Sequence, residues 1–185
     1  LCKLLLKKMC NVNLSISYTS RNQRLNEING KDYFFVTKEK FNYLKNKNFF
    51  LETAINFGNY YGSPYKNLKA FKKNQILFDI DWKGARKIRK KVNKNDIIDF
   101  FILPPSIKEL KKRLVKRGRD KKDDINLRLS YAIKEISHYK EYSYVLINQN
   151  VQQTVNDISA IIKTNLTIEK NRKLTERKIK SLINI

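Results

Sequence analysis

QILFDIDWKGARKIRKKVNKNDIIDFFILPP, residues 75–105, is the stretch on which the fold class turns. It opens on one apolar run, QILFDID (75–81), and closes on another, IIDFFILPP (97–105). Neither alternates, as is usual for strands covered on both faces. Between them WKGARKIRKK carries helical spacing. A strand, a helix and a strand in succession predict parallel strands joined by a crossover. Toward the C-terminus the same pattern continues. SIKELKKRLVKRG (106–118) and DDINLRLSYAIKEISHYK (123–140) read as helices, YSYVLIN (142–148) as a last buried strand, and VQQTVNDISAIIKTNL (151–166) as a last helix.

Toward the N-terminus the reading changes character. LCKLLLKKM (1–9) has amphipathic helical spacing, and VNLSISYT (12–19) reads as one strand with Val12, Leu14, Ile16 and Tyr18 on one face. A polar loop follows, with a turn at Asn29-Gly30 and a strand at DYFFV (32–36). Thr37 can cap a short helix that turns Phe41 and Leu44 inward, and FFLETAINF (49–57) reads as a strand leading to a turn at Gly58-Asn59. The expected fold is α/β: a parallel-sheet core with helices on both faces and a small strand-rich insert.

Composition narrows the function. Forty Lys and Arg against 17 Asp and Glu give a net charge of +23 over 185 residues, which would attract any polyanion. The cations are spread along the whole chain, however, so a basic solvated surface accounts for them and no specific nucleic-acid partner is expected. A denser cluster, EKNRKLTERKIK (169–180), reads as a helical or frayed tail that could serve as an interaction arm. No apolar run is long enough to span a membrane, and Cys2 and Cys10 with the single His138 do not complete a metal site. Free thiols in a reducing cytoplasm are expected.

Ligands of open α/β sheets sit beyond the carboxyl ends of the strands, so the residues that end the apolar runs carry weight. Asp79 and Asp81 lie at one such end; they can hold magnesium or position a nucleotide, or simply cap the following helix. Arg21 and Arg24 could grip one phosphate between them, or be an ordinary surface pair. GNYYGSP (58–64) brackets two tyrosines with glycines, either for a tight turn that presents hydroxyls to a ligand or as a hairpin whose tyrosines pack. Glu52 is an acid inside an apolar strand and needs donors, such as the adjacent N1–H and exocyclic amine of guanine. Arg113 and Arg117 share one helical face and Arg128 returns from the next helix, an arrangement able to close over phosphates.

Taken in order, SISYTSRNQR (15–24), NGKDYFFV (29–36), FLETAINFGNYYGSP (50–64), ILFDIDWKGAR (76–86), FILPPS (101–106) and LKKRLVKRGRD (110–120) resemble the guanylate kinase family, from Leu1 to about Leu166. The resemblance implies phosphoryl transfer from ATP to GMP or dGMP with Mg2+. It implies that Arg21, Arg24, Tyr33 and Tyr61 hold the GMP phosphate, and that Ser17, Glu52, Ser63 and Asp81 line the guanine. It further implies lid arginines at Arg113, Arg117 and Arg128 that reach the ATP phosphates, Asn148 near the adenine, and Asp79 beside the magnesium, through water. The matching layout is a core of residues 1–20, 72–112 and 129–166, a GMP-binding insert of 21–71, a lid of 113–128 and a basic tail of 167–185. Lys116 stands where the family usually has glycine, and Gln149 and Asn150 where it has an acidic pair. The family's phosphate loop, G-x-x-G-x-G-K-[ST], would end just before Leu1, so the chain as given is expected to bind GMP weakly or not at all and to show no measurable kinase activity. A silent module gripping a phosphorylated protein is the rival from another class; Glu52 and the lid arginines, which such a module does not need, favour an enzyme.

Overall fold

The computed structural model describes residues 1–70, 74–116 and 122–182. Its chain divides into two compact units, one of Cys2 and Leu6–Ile97, the other of Leu1, Lys3–Leu5 and Ile98–Ile185.

The first unit begins in α1 (Cys2–Lys8) and passes into β1 (Val12–Leu14). The single strand expected over 12–19 is instead two, β1 and β2 (Tyr18–Thr19), which join different sheets. The apolar alternation does not break, but the hydrogen-bonding partners change between them. Ser15 Oγ accepts from Asn67 Nδ2 at 2.9 Å and Ser17 Oγ lies 3.3 Å from Ser63 Oγ, so the chain leaves one sheet at Ser15 and enters the next after Ser17. β3 (Phe34–Phe35) runs parallel to β2, after Gly30 has turned the chain at φ +77°.

Thr37 Oγ1 accepts from Lys40 N at 3.2 Å and so starts α2 (Lys38–Asn46), which buries Phe41. β4 (Phe50–Asn56) and β5 (Asn59–Pro64) form an antiparallel hairpin, completing a sheet of order β3-β2-β5-β4. Its turn is Phe57-Gly58, at φ +50° and +73°, one residue earlier than the sequence suggests. Two left-handed central residues match the right-handed twist of the strands. The GNYYGSP segment is thus mostly strand, and Gly62 serves packing: a Cβ there would come within 2.9 Å of the Phe50 ring and 3.1 Å of Phe41. Phe41 stacks on Phe50 at 4.6 Å and on Tyr60 at 5.3 Å.

After α3 (Lys66–Ala70), β6 (Gln75–Leu77) lies parallel to β1, and α4 (Trp82–Arg89) follows. α4 packs on β4, whose outer edge would otherwise present bare carbonyls. Lys87 donates to Thr53 O, and Lys91 to Leu51 O, covering that edge with cations.

In the second unit β7 (Phe100–Leu103) leads to α5 (Ile107–Lys116), where Ser106 Oγ accepts from Glu109 N at 3.1 Å. α6 (Lys122–Ile136) packs on α5, and β8 (Tyr144–Ile147) pairs with β7 in parallel. The sequence anticipated a strand buried on both faces. Instead Val145 and Ile147 are 40% and 57% exposed, because alternate residues of β8 face outward while Tyr144 and Leu146 are half-buried. α7 (Val151–Leu182) buries Val155, Ile158 and Ile162 and then continues as helix through the segment read as a tail. Beyond its core face, Glu169 pairs with Arg172 at 3.0 Å and with Lys173 at 3.1 Å, one turn on. Such pairs support a helix that has little to pack against.

Candidate functional site: a nucleotide-binding cluster

The hairpin places Glu52 on β4 directly opposite Ser63 on β5. Glu52 Oε1 accepts from Ser63 N at 3.1 Å and from Ser63 Oγ at 2.8 Å, and Ser63 Oγ in turn meets Ser17 Oγ. Only 4% of Glu52 is exposed. Burial pushes its carboxyl above the ordinary value of 4.5; the nearby Asp81 charge adds to this, while the Ser63 hydrogen bonds and the Lys87 charge oppose it. Asp81 occupies the N-cap of α4, where Oδ1 accepts from Gly84 N at 2.7 Å. Its Oδ2 is buried with no hydrogen-bond partner. Asp81 thus caps the helix with one oxygen and leaves the other unpartnered. Gly84 lets α4 start close to Glu52, since a Cβ there would lie 3.0 Å from Glu52 Oε2. An acceptor buried without a partner costs on the order of 1–3 kcal/mol, which a ligand with matching N–H groups would recover.

A cationic grip lies on the loop after β2. Both carboxylate oxygens of Glu27 accept from Arg21 Nη2 at 2.9 Å, and Arg24 N donates to Glu27 Oε2 at 2.9 Å. Burial works to raise the Glu27 pKa, but the Arg24 N–H and the Arg21 guanidinium outweigh it and hold the carboxyl below its usual range. The Arg21 guanidinium lies 5.6 Å from the Tyr33 ring centre, and the Tyr33 and Tyr61 rings meet edge to face at 6.1 Å. The Tyr33 hydroxyl is pushed up by burial and then by the charge of Asp79. Glu27 escaped the sequence reading, although it is the sole carboxylate between Arg21 and Asp32. Arg24 shares this loop and makes contacts of its own.

Asp79 lies just past β6 and accepts a hydrogen bond from the Cys2 thiol, which burial and then the Asp79 charge push up to about 11. Within this unit, then, Ser17, Glu52, Ser63 and Asp81 form one cluster, and Arg21, Tyr33 and Tyr61 another. In the second unit Arg113 Nε donates to Glu109 Oε1 at 3.1 Å, and Arg128 lies on α6 against α5. Asn148 follows β8; its N donates to Leu103 O at 2.8 Å and its Oδ1 accepts from Thr154 Oγ1 at 3.3 Å. Arg117 lies outside the described residues.

Among the described residues no group of three or more His, Cys, Asp or Glu could cage a metal ion, and no helix is long and apolar enough to cross a membrane. Asp79 as a single carboxylate fits magnesium, which takes one or two carboxylates and completes its shell with water and phosphate oxygens.

A sequence model of the family described as guanylate kinase matches residues 1–165. The chain is 46% identical over 164 residues to a guanylate kinase of Rickettsia prowazekii (strain Madrid E), covering 88% of this chain and 82% of that one. It is also 46% identical over 151 residues to a guanylate kinase of Blochmanniella pennsylvanica (strain BPEN), covering 80% and 71%. Its structure is similar to a crystal structure of guanylate kinase from Anaplasma phagocytophilum, with a TM-score of 0.75 at 36% identity over 88% of this chain and 79% of that one. With the family's sequence model spanning most of its length and these relatives agreeing, the chain belongs to the guanylate kinase family of nucleoside monophosphate kinases.

Proposed function

We propose that the chain moves the γ-phosphoryl group of ATP onto GMP and dGMP, giving ADP and the nucleoside diphosphate. The observation that carries this reading is the buried pair of carboxylates, Glu52 held by Ser63 and Asp81 with a bare Oδ2. Guanine offers N1–H and its exocyclic amine side by side, matching two adjacent acceptors, whereas adenine presents a lone pair at N1. None of the proposed contacts reads the ribose, so the 2′-hydroxyl is free to be absent.

Arg21, Arg24, Tyr33 and Tyr61 hold the GMP phosphate in this reading and orient one oxygen as the nucleophile. Arg113, Arg117 and Arg128 belong to a lid over residues 113–128 and neutralise charge on the transferring phosphoryl group, with Asn148 beside the adenine. Asp79 would hold magnesium through water, and the ion would supply charge neutralisation on the ATP phosphates. Catalysis by such a set is positioning and electrostatics, since phosphoryl transfer asks for little covalent chemistry from the protein. Exclusion of water by lid closure keeps ATP from being hydrolysed instead.

A coupled assay with ATP and a panel of monophosphates, run with the family's phosphate loop joined ahead of Leu1, tests the assignment. GMP and dGMP should be turned over and AMP, CMP and UMP rejected by about a thousandfold or more, as in sites built around buried hydrogen bonds. Comparable turnover of AMP and GMP would refute it.

A further inference from the structure

The β4–β5 hairpin has a second face. Residues opposite one another in an antiparallel pair share a side, and sides alternate along the strand. Glu52 faces Ser63 and Ala54 faces Tyr61 on the proposed nucleotide side, which leaves Ile55 and Tyr60 paired on the other. There, and reaching as far as Ala54 of β4, a groove of about 480 Å³ opens between α2 and α4. That volume suits a small ligand, whose sites span roughly 300–1,000 Å³.

Its floor is aromatic. Tyr60 is stacked on Phe41, and Trp82 lies beneath the Arg86 guanidinium at 4.5 Å from the ring centre. Its rim is cationic from both sides, with Lys45 on α2 and Lys83, Lys87 and Lys90 on or at the end of α4. Lys87 is tethered through Nζ to Thr53 O and so keeps its charge on the wall. Among the described residues no carboxylate lines the groove.

We propose that this groove is a second binding site, distinct from the GMP site, for a nucleobase that carries phosphates, whether a free nucleotide or a single strand. The basic rim alone would follow from composition. The aromatic floor does not: the Arg86 guanidinium, backed by the Trp82 ring, offers a plane on which a base can stack, and cations on both banks meet the phosphates leading to and from it. An acidic peptide would use the rim and leave the floor idle.

Trp82 is the chain's one tryptophan, so its fluorescence reports on this groove. The 185-residue chain is titrated with octauridylate and, separately, with UTP, whose uracil lacks the adjacent N1–H and exocyclic amine that the guanine site is proposed to read. Both arms are repeated with the triple variant Lys45→Gln, Lys83→Gln, Lys90→Gln and with a control triple on α7, Lys170→Gln, Lys173→Gln, Arg177→Gln, each checked for folding by circular dichroism. The site predicts quenching by at least one probe. It also predicts about tenfold weaker binding in the groove triple and a shallower salt dependence, with no more than about a twofold change in the control. Stronger quenching by octauridylate identifies a strand as the ligand, and equal quenching identifies a free nucleotide. Absence of quenching by both, equal weakening in the two triples, or equal quenching by poly-glutamate would overturn the proposal.

Discussion

At the scale of single residues, the two oxygens of Asp81 differ: Oδ1 accepts from Gly84 N and caps α4. Asp81 Oδ2 lacks a partner, and the exocyclic amine of guanine would supply one. Inosine monophosphate, which lacks that amine, should therefore bind about tenfold or more weakly than GMP, and Asp81→Asn should narrow the gap. Competition binding checks both, and an unchanged ratio in Asp81→Asn would remove Asp81 from the site. Glu52 predicts opposite pH trends for ligand and fold. Its raised pKa means the folded state binds the extra proton between 4.5 and that raised value, so stability falls as pH rises through this window. GMP binding needs the ionised form and should strengthen over the same window. Thermal melts and GMP titrations as a function of pH, in wild type and Glu52→Gln, separate the two, and parallel trends would contradict the assignment. In the proposed site Glu27 positions Arg21, whose Nη2 donates to both of its carboxylate oxygens. Glu27→Ala should weaken GMP severalfold but leave guanosine, which has no phosphate to grip, unaffected. Equal losses for both ligands would instead mark a structural role. Glu52 was legible because an acid interrupts an apolar run, whereas Glu27 sits in a loop where polar residues are ordinary and only the folded chain brings it onto Arg21.

At the scale of elements, close approach and turn geometry explain what composition left ambiguous. Gly84 lets α4 start against Glu52 Oε2, so Gly84→Ala should push that carboxylate aside and cost GMP affinity more than stability, as paired binding and melting measurements would register. Phe57 adopts φ +50° in the hairpin turn, a conformation that Asn tolerates better. Phe57→Asn should raise stability by about 0.5–1 kcal/mol, or roughly 1–4 °C in Tm for a chain of this size. A lowered Tm would mean that the ring's packing outweighs its strain. Apolar runs foretold parallel strands within 75–81 and 97–105, and β6 and β7 each lie in a parallel pair, but the partners they take, β1 and β8, were not foretold. What they could not foretell is where the hydrogen-bond partner changes: residues 12–19 keep one alternation while the chain moves from β1 to β2, because side-chain periodicity says nothing about which edge the backbone pairs with.

At the scale of the whole molecule, the net charge of +23 proved less telling than where apolar and aromatic surface accompanies it. The lining of the second groove and the outer turns of α7 are both basic, but of the two it is the groove that sets aromatic rings among its cations. The cluster of Ser17, Glu52, Ser63 and Asp81 was legible because its members sit in ordered motifs of distinctive composition. The groove was not, since Phe41, Tyr60 and Trp82 come from three separate motifs that only the hairpin and its flanking helices assemble. The central claim is that a buried carboxylate reads guanine, and calorimetric titration of GMP and AMP into wild type and Glu52→Gln, with the phosphate loop in place, tests it most directly. The account predicts tight GMP and negligible AMP binding in the wild type, with GMP weakened about tenfold to a hundredfold in the variant and AMP no weaker than before. Undiminished GMP affinity in Glu52→Gln, or equal affinity of the wild type for AMP and GMP, would contradict it.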